Sequence, residues 1–296
     1  RKAAVLLVNN GMTPFAGAPE IAPGWRVVSA HTDDPDAAAF ENGTLSLDGN
    51  AGILLMMNGR HEMLKPFKFL PNRVLRLYLG GSGIDALCGN PSPEDSRFPE
   101  NWIASCIEGN GRAYHSPRHG ISKVEYDGAV HGFPEFLHAH AEEILGPPHL
   151  AKYGETPAVL TKLLDSAEQL PMQVHPARED AKTYFNADYG KTEAWLVLAT
   201  REINGEKPYL LVGFNEKLDR ETFIRESLAG RYETGLGMLN RIAVRPGDVI
   251  VIRGGLPHAI GPGVTMVEVM EPSDLVIVPE IDCCGVCLLY TSDAAD

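Results

Sequence analysis

Turn-forming residues cut this chain into short apolar runs, and that punctuation restricts it to a fold rich in short strands. The runs "AAVLLVNN", "WRVVSAH", "TEAWLVLAT", "PYLLVGF" and "GVTMVEVME" are each flanked by Gly, Pro, Asn or Asp. Apolar runs of this length between turn residues read as strands. "TLSLDG" alternates apolar and polar positions, as a half-buried strand does. "NRIAVRPGDVIVIRGGLPHAI" reads as strand, turn at Pro246-Gly247-Asp248, strand, and a loop that leads into His258. Helical spacing occurs over 134–145, 157–169 and 218–232. Pro134 and Pro157 sit where a first helical turn accepts proline, and Asp219 stands where an N-cap belongs. The sequence therefore predicts a mainly β protein with helical insertions.

Composition narrows the partners. The net charge of −13 argues against nucleic acid and against an anionic membrane surface. It leaves room for a small phosphorylated ligand, which needs only a local group of cations. No apolar run approaches the roughly 20 residues of a membrane span. The N-terminal apolar run is shorter than the 7–15 residues, roughly, of a signal-peptide core. Of the five cysteines, Cys283, Cys284 and Cys287 crowd the C-terminal end, leaving Cys88 and Cys106 in the body. That distribution suits a reducing, cytoplasmic setting better than a disulfide framework.

Three segments differ in texture. Residues 1–62 read as a separate β-rich segment with no catalytic constellation. Their rhythm resembles the C-terminal β-sandwich of α-amylase-type glycoside hydrolases, and Met63 is the expected start of the next unit. Residues 63–275 carry every chemical motif. The tail, 276–296, breaks the pattern. Its last ten residues, "CLLYTSDAAD" (287–296), are read as the translation of a sequencing-library adapter.

Strand alternation aims four polar residues to one side: Gln173 and His175 in "MQVHP", Glu193 in "KTEAW", and His258 in "LPHAI". Residues i and i+2 of a strand share a face, so Gln173 and His175 project together. Each alone reads as a satisfied core or rim residue. Together, two imidazoles, a carboxylate and an amide oxygen form a plausible hard-to-borderline divalent-metal set, with donor types that zinc accepts. Their spacing matches neither a zinc finger nor the helical H-E-x-x-H pattern. It fits ligands gathered on neighbouring strands of a barrel. His138 and His140 lie two apart on a helical pattern and face different ways. "GGSG" at 80–83 lacks the strand–helix context of a dinucleotide loop and reads as a turn.

"LTKLLDSAEQLPMQVHP", "GKTEAWLVL" and "VRPGDVIVIRGGLPHAIGPGVTMVEVMEPSD", in this order, resemble type I mannose-6-phosphate isomerase; so do "NRVLRLYLGG" and "FPENWIAS". The resemblance implies a cupin-type (jelly-roll) barrel, truncated at its C-terminus. It implies one zinc ion per chain held by Gln173, His175, Glu193 and His258. Lys162 and Lys191 would position a sugar phosphate, and Trp102 and Ser105 would form the pocket wall. The implied reaction interconverts mannose 6-phosphate and fructose 6-phosphate through a cis-enediol. The catalytic base is unassigned, and the arginine that the family carries near position 278 is replaced by Val278. Two alternatives stay open. One is a non-catalytic sugar-binding or regulatory cupin, favoured by Val278. The other is a cupin oxygenase, which gives Gln173 no role.

Overall fold

The computed structural model describes residues 2–9, 13–19, 25–49, 51–59, 64–109, 117–229, 231, 233–279, 282–283 and 286–287. Met63, Cys284 and residues 288–296 lie outside the described residues. The chain divides into two compact units, Arg1–Leu64 and Lys65–Asp296.

The first unit holds six strands: β1 (Lys2–Val8), β2 (Phe15–Gly17), β3 (Trp25–His31), β4 (Ala38–Glu41), β5 (Thr44–Leu47) and β6 (Gly52–Gly59). They form two three-stranded antiparallel sheets, ordered β1-β6-β3 and β2-β5-β4. Leu45 and Leu47 point inward from β5 at the alternation read in "TLSLDG". They pack with Ala38, Ile53 and Leu55 into a small core.

The second unit begins with β7 (Lys68–Phe69), β8 (Arg73–Val74), β9 (Glu100–Ile103), β10 (Lys123–Tyr126) and β11 (Ala129–Gly132). Then come β12 (Leu160–Asp165), β13 (Glu193–Thr200), β14 (Tyr209–Phe214), β15 (Leu239–Ala243), β16 (Val249–Ile252), β17 (His258–Ile260) and β18 (Val264–Met270). Six of these make the main antiparallel sheet, ordered β16-β13-β18-β12-β9-β8. β15-β14-β17 forms a second sheet. Leu164, Trp195, Val197, Ile252, Val264 and Met266 from the first sheet share one core with Leu210 and Ile260 from the second. The two sheets therefore pack face to face, and among the described residues they do not close into a ring. Each large apolar side chain buried between them contributes about 1.5–3 kcal/mol.

The helical insertions partly follow the expected pattern. Asp219 caps Arg220–Leu228, its side chain accepting from the backbone N–H groups of Glu221 and Thr222. The 134–145 pattern becomes two short helices, Phe133–Ala139 and Ala141–Ile144, broken at His140. The 157–169 pattern is not helical: Leu160–Asp165 is strand β12. The leucines and lysine there favour a helix by only a few tenths of a kcal/mol. Hydrogen bonding to β18 on one side and β9 on the other outweighs that preference. The hairpin β19 (Asp282–Cys283) and β20 (Val286–Cys287) follows in the tail.

The "GGSG" run does not remain a turn: Gly81 is the N-cap of the helix Ser82–Leu87, which Ser82 and Gly83 begin, and a buried acid holds this helix entry. Asp165 accepts from the N–H groups of Gly81 (2.7 Å) and Gly83 (3.1 Å), from Thr265 Oγ1 (2.6 Å) and from Arg201 Nη1 (2.5 Å). The segment lies so close to β12 that a Cβ on Gly80 would sit 1.9 Å from the Asp165 carbonyl oxygen. Gly80→Ala should therefore lower the unfolding free energy by about 1–3 kcal/mol, read as a shift in urea midpoint at constant slope. An unchanged midpoint would mean that the segment can retreat from β12 without cost.

Candidate metal centre

Three chain segments supply the candidate ligands. His258 opens β17 and Glu193 opens β13. His175 belongs to the extended segment 173–175, which lies against β17. Gln173 and His258 exchange backbone hydrogen bonds (2.9 and 3.0 Å), a directly opposed pair. Their side chains therefore leave the backbone on one face, shared by His175 two residues on. Val174 lies between Gln173 and His175 and is bridged to Ile277, so residues 275–277 form the wall behind the histidine.

Among the described residues, His175, Glu193 and His258 converge as a metal-type trio, with ligand atoms all within 4.8 Å of one another. Hydrogen bonds set both imidazoles. Nδ1 of His175 donates to the Leu275 carbonyl and Nδ1 of His258 to the Leu256 carbonyl, each at 2.9 Å. With the ring proton on Nδ1, each Nε2 carries its lone pair into the site. Nε2 of His258 is buried without a hydrogen-bond partner. Oε1 of Glu193 lies 2.9 Å from His175 Nε2 and 2.8 Å from Lys191 Nζ, neither with hydrogen-bond geometry. Lys191 also lies 3.1 Å from His175 Nε2.

Burial sets the charge states. It pushes the His258 imidazole down to about 4. It also lowers His175, with the Lys191 ammonium acting in the same direction. Burial alone would raise Glu193, but Lys191 and His175 hold it well below the usual carboxylate range. At neutral pH the site thus presents two neutral imidazole nitrogens and one carboxylate oxygen, a donor set that suits zinc. An unpartnered buried Nε2 is costly unless something binds it. On these grounds the trio fits a divalent ion.

Beside the trio lies a buried network of charges. Antiparallel register lines up Trp195 on β13, Glu268 on β18, Lys162 on β12 and Trp102 on β9 as direct cross-strand neighbours. The Trp195 indole N–H donates to Glu193 Oε2 (3.0 Å) and Glu268 Oε1 (3.1 Å). The Lys162 ammonium lies 3.3 Å from Glu268, 3.6 Å from Glu100 and 3.8 Å from Asp274, and 4.6 Å from the Trp102 ring centroid. Tyr78, Trp102 and Arg76 all donate to Glu100, at 2.6, 2.6 and 3.0 Å. Burial would raise Glu100, yet Arg76 and Lys162 hold it far below its ordinary value. Burial, followed by repulsion from Glu193, pushes Glu268 up to about 7.

The residues singled out from sequence divide between these two groups. His175, Glu193 and His258 form the trio, Lys191 lies beside it, and Gln173 shares its face. Lys162 and Trp102 belong to the charge network, where three carboxylates surround the lysine. Ser105 is buried, its hydroxyl donating to the Ile107 carbonyl at 3.1 Å. The sequence reading missed Glu100, Glu268, Asp274 and Arg76. One signal could have found two of them: an acid at an inward position of an apolar strand, as in "TMVEVM" and "ENWI".

No family model matches the chain. The chain is 30% identical over 208 residues to the mannose-6-phosphate isomerase of Streptococcus mutans, a match taking in 70% of this chain and 58% of that protein. It is 30% identical over 173 residues to the mannose-6-phosphate isomerase ManA of Bacillus subtilis, covering 58% and 51% of the two. The chain thus spans about half the length of these curated relatives. Among solved structures it is similar to a mannose 6-phosphate isomerase from Bacillus subtilis, at 24% identity and a TM-score of 0.56, over 75% of this chain and 64% of that one. The resemblance seen in the motifs thus extends along about half the length of these relatives, and the fold is the cupin-type fold of those isomerases.

Two measurements test the electrostatics. With chelator present, NMR should find His258 titrating near pH 4 rather than near 6.5. Because its pKa is depressed in the folded chain, the unfolded chain takes up the proton first as pH falls. The stability it contributes is present in full above about pH 6.5 and lost as pH falls to about 4. A measured value above 6 would contradict the buried, neutral imidazole. Lys162→Met should cost about 3–5 kcal/mol in denaturant unfolding, because it takes from three buried carboxylates the cation they share. A loss below about 1 kcal/mol, the range of exposed ion pairs, would mean that the network is solvated.

Proposed function

We propose that this chain is a zinc-dependent aldose–ketose isomerase acting on mannose 6-phosphate and fructose 6-phosphate. The observation that carries this reading is the bare Nε2 of His258, gathered with His175 Nε2 and Glu193, in a chain whose curated relatives are mannose-6-phosphate isomerases. His175, Glu193 and His258 would hold the ion, with Gln173 placed on the same face to complete the set. A bound zinc ion supplies positive charge that lowers the cost of negative charge on the substrate's carbonyl and hydroxyl oxygens. The reaction moves a proton between C2 and C1 through a cis-enediol.

The chain's own groups divide the remaining work. Lys191 is the cation beside the trio, and its ammonium would meet the sugar phosphate. Lys162, surrounded by Glu100, Glu268 and Asp274, keeps those carboxylates in place. Val278 stands where the resemblance places an arginine that offsets charge on the enediol. That position favours the second reading, a sugar-binding cupin without turnover.

A coupled assay separates the two. The zinc-loaded chain should convert mannose 6-phosphate slowly, lose activity on chelation and regain it with zinc. Val278→Arg should raise turnover by a factor on the order of 10²–10³, the effect typical of one charge-stabilising group. Stoichiometric zinc with no turnover in either form would leave the non-catalytic reading standing.

A further inference from the structure

We infer that Trp195 is a positioning residue: its indole N–H holds Oε2 of Glu193 and so turns Oε1 toward the two histidines and a divalent cation. This rests on the reading of the trio as a metal centre, and not on the isomerase reaction. A carboxylate at the end of a buried side chain can present either oxygen, because its terminal torsion is broad and roughly two-fold. Something must break that symmetry. In this site the break is visible. Oε2 of Glu193 accepts from Trp195 Nε1 at 3.0 Å, while Oε1 faces His175 Nε2 at 2.9 Å and has no hydrogen bond.

The donor is itself well anchored. Trp195 is fully buried in the core between the two sheets, and its ring packs edge-on against His258 with centroids 5.4 Å apart. The same N–H also reaches Glu268 Oε1 at 3.1 Å. One indole therefore touches a ligand carboxylate, a ligand imidazole and the carboxylate that leads to Lys162. The second E-x-W run shows that this is a built arrangement. In "ENW", Trp102 Nε1 donates back to Glu100 Oε2 at 2.6 Å, as in "EAW" Trp195 donates to Glu193. Residues i and i+2 share a strand face, which brings the indole beside the carboxylate two residues earlier. Trp102 thus does for a structural acid what Trp195 does for a ligand, and it provides an internal control.

The test measures Zn²⁺ affinity of the full chain by chelator competition. Trp195→Phe removes the N–H and keeps an aromatic ring. It should weaken zinc binding about 10- to 100-fold, the usual effect of losing the partner that orients a metal ligand. Because Phe is smaller and could loosen the core, 3-benzothienylalanine at position 195 serves as the second variant. It keeps the bicyclic shape and lacks only the donor. The loss in affinity should persist there, and the visible bands of the Co²⁺-loaded form should shift. Trp102→Phe should leave both readouts unchanged. Affinity within about two-fold of the unmodified chain in the benzothienyl variant would overturn the inference. An equal loss in Trp102→Phe would also overturn it, as would failure of the unmodified chain to bind zinc. If zinc affinities follow the expected pattern while the coupled assay shows no turnover, the isomerase reading fails and the role of Trp195 stands.

Discussion

The direct pairing of Lys162 with Glu268, on adjacent strands at the centre of the main sheet, is the contact on which the interior depends. Neither charge could be buried alone, since an isolated ion in a protein interior costs several kcal/mol. Each is tolerated because the register puts the other beside it and tryptophans on the flanking strands. Trp195 and Trp102 close the row, each with one N–H to offer and a broad apolar face to bury. From that row the network reaches outward, to Glu193 on one side and to Glu100, Arg76 and Asp274 on the other. A slip of one residue between β12 and β18 would turn Lys162 to the outer face and leave the acids uncompensated. The polar interior therefore specifies the register as firmly as the apolar core does.

The metal centre uses the opposite device. Where the network satisfies every charge, the trio leaves donors unsatisfied. His258 Nε2 is buried and bare, and its imidazole is kept neutral by burial. Two backbone carbonyls, those of Leu256 and Leu275, accept hydrogen bonds from the Nδ1–H groups and so decide which nitrogen faces the site. The two devices meet at the Trp195 indole. A donor set that suits a cation thus sits against a buried network of charges.

Much of this was legible before any coordinates. Period-two alternation put Gln173 and His175 on one face, gave the inward leucines of β5 and turned Glu193 of β13 inward. Asp219 was readable as a cap because a short acid before a helical run has a definite job. The failures have equally definite causes. Residues 157–169 carry leucines that satisfy both periods, so only the edges of β9 and β18 settle them as a strand. Glu268 and Glu100 were passed over because an acid inside an apolar run looks solvent-facing until its neighbours are known. The repeated E-x-W was in plain view, but its meaning depends on the indole and the carboxylate sharing a buried face.

What the sequence determined by itself is the alphabet of the site: two imidazoles, one carboxylate, one amide, and tryptophans two residues after acids. Those are local relations, set by the two-residue repeat of an extended backbone. What only the tertiary structure decided is which strand lies beside which, and at what register. The hydrogen bonds between β12, β18 and β13 join residues far apart in the chain, and the same alternating pattern would fit several partners. Burying Lys162 among three carboxylates, and leaving Nε2 of His258 without a partner, are consequences of that choice. They follow from the energy of charges and lone pairs in a dry interior, which no single strand contains.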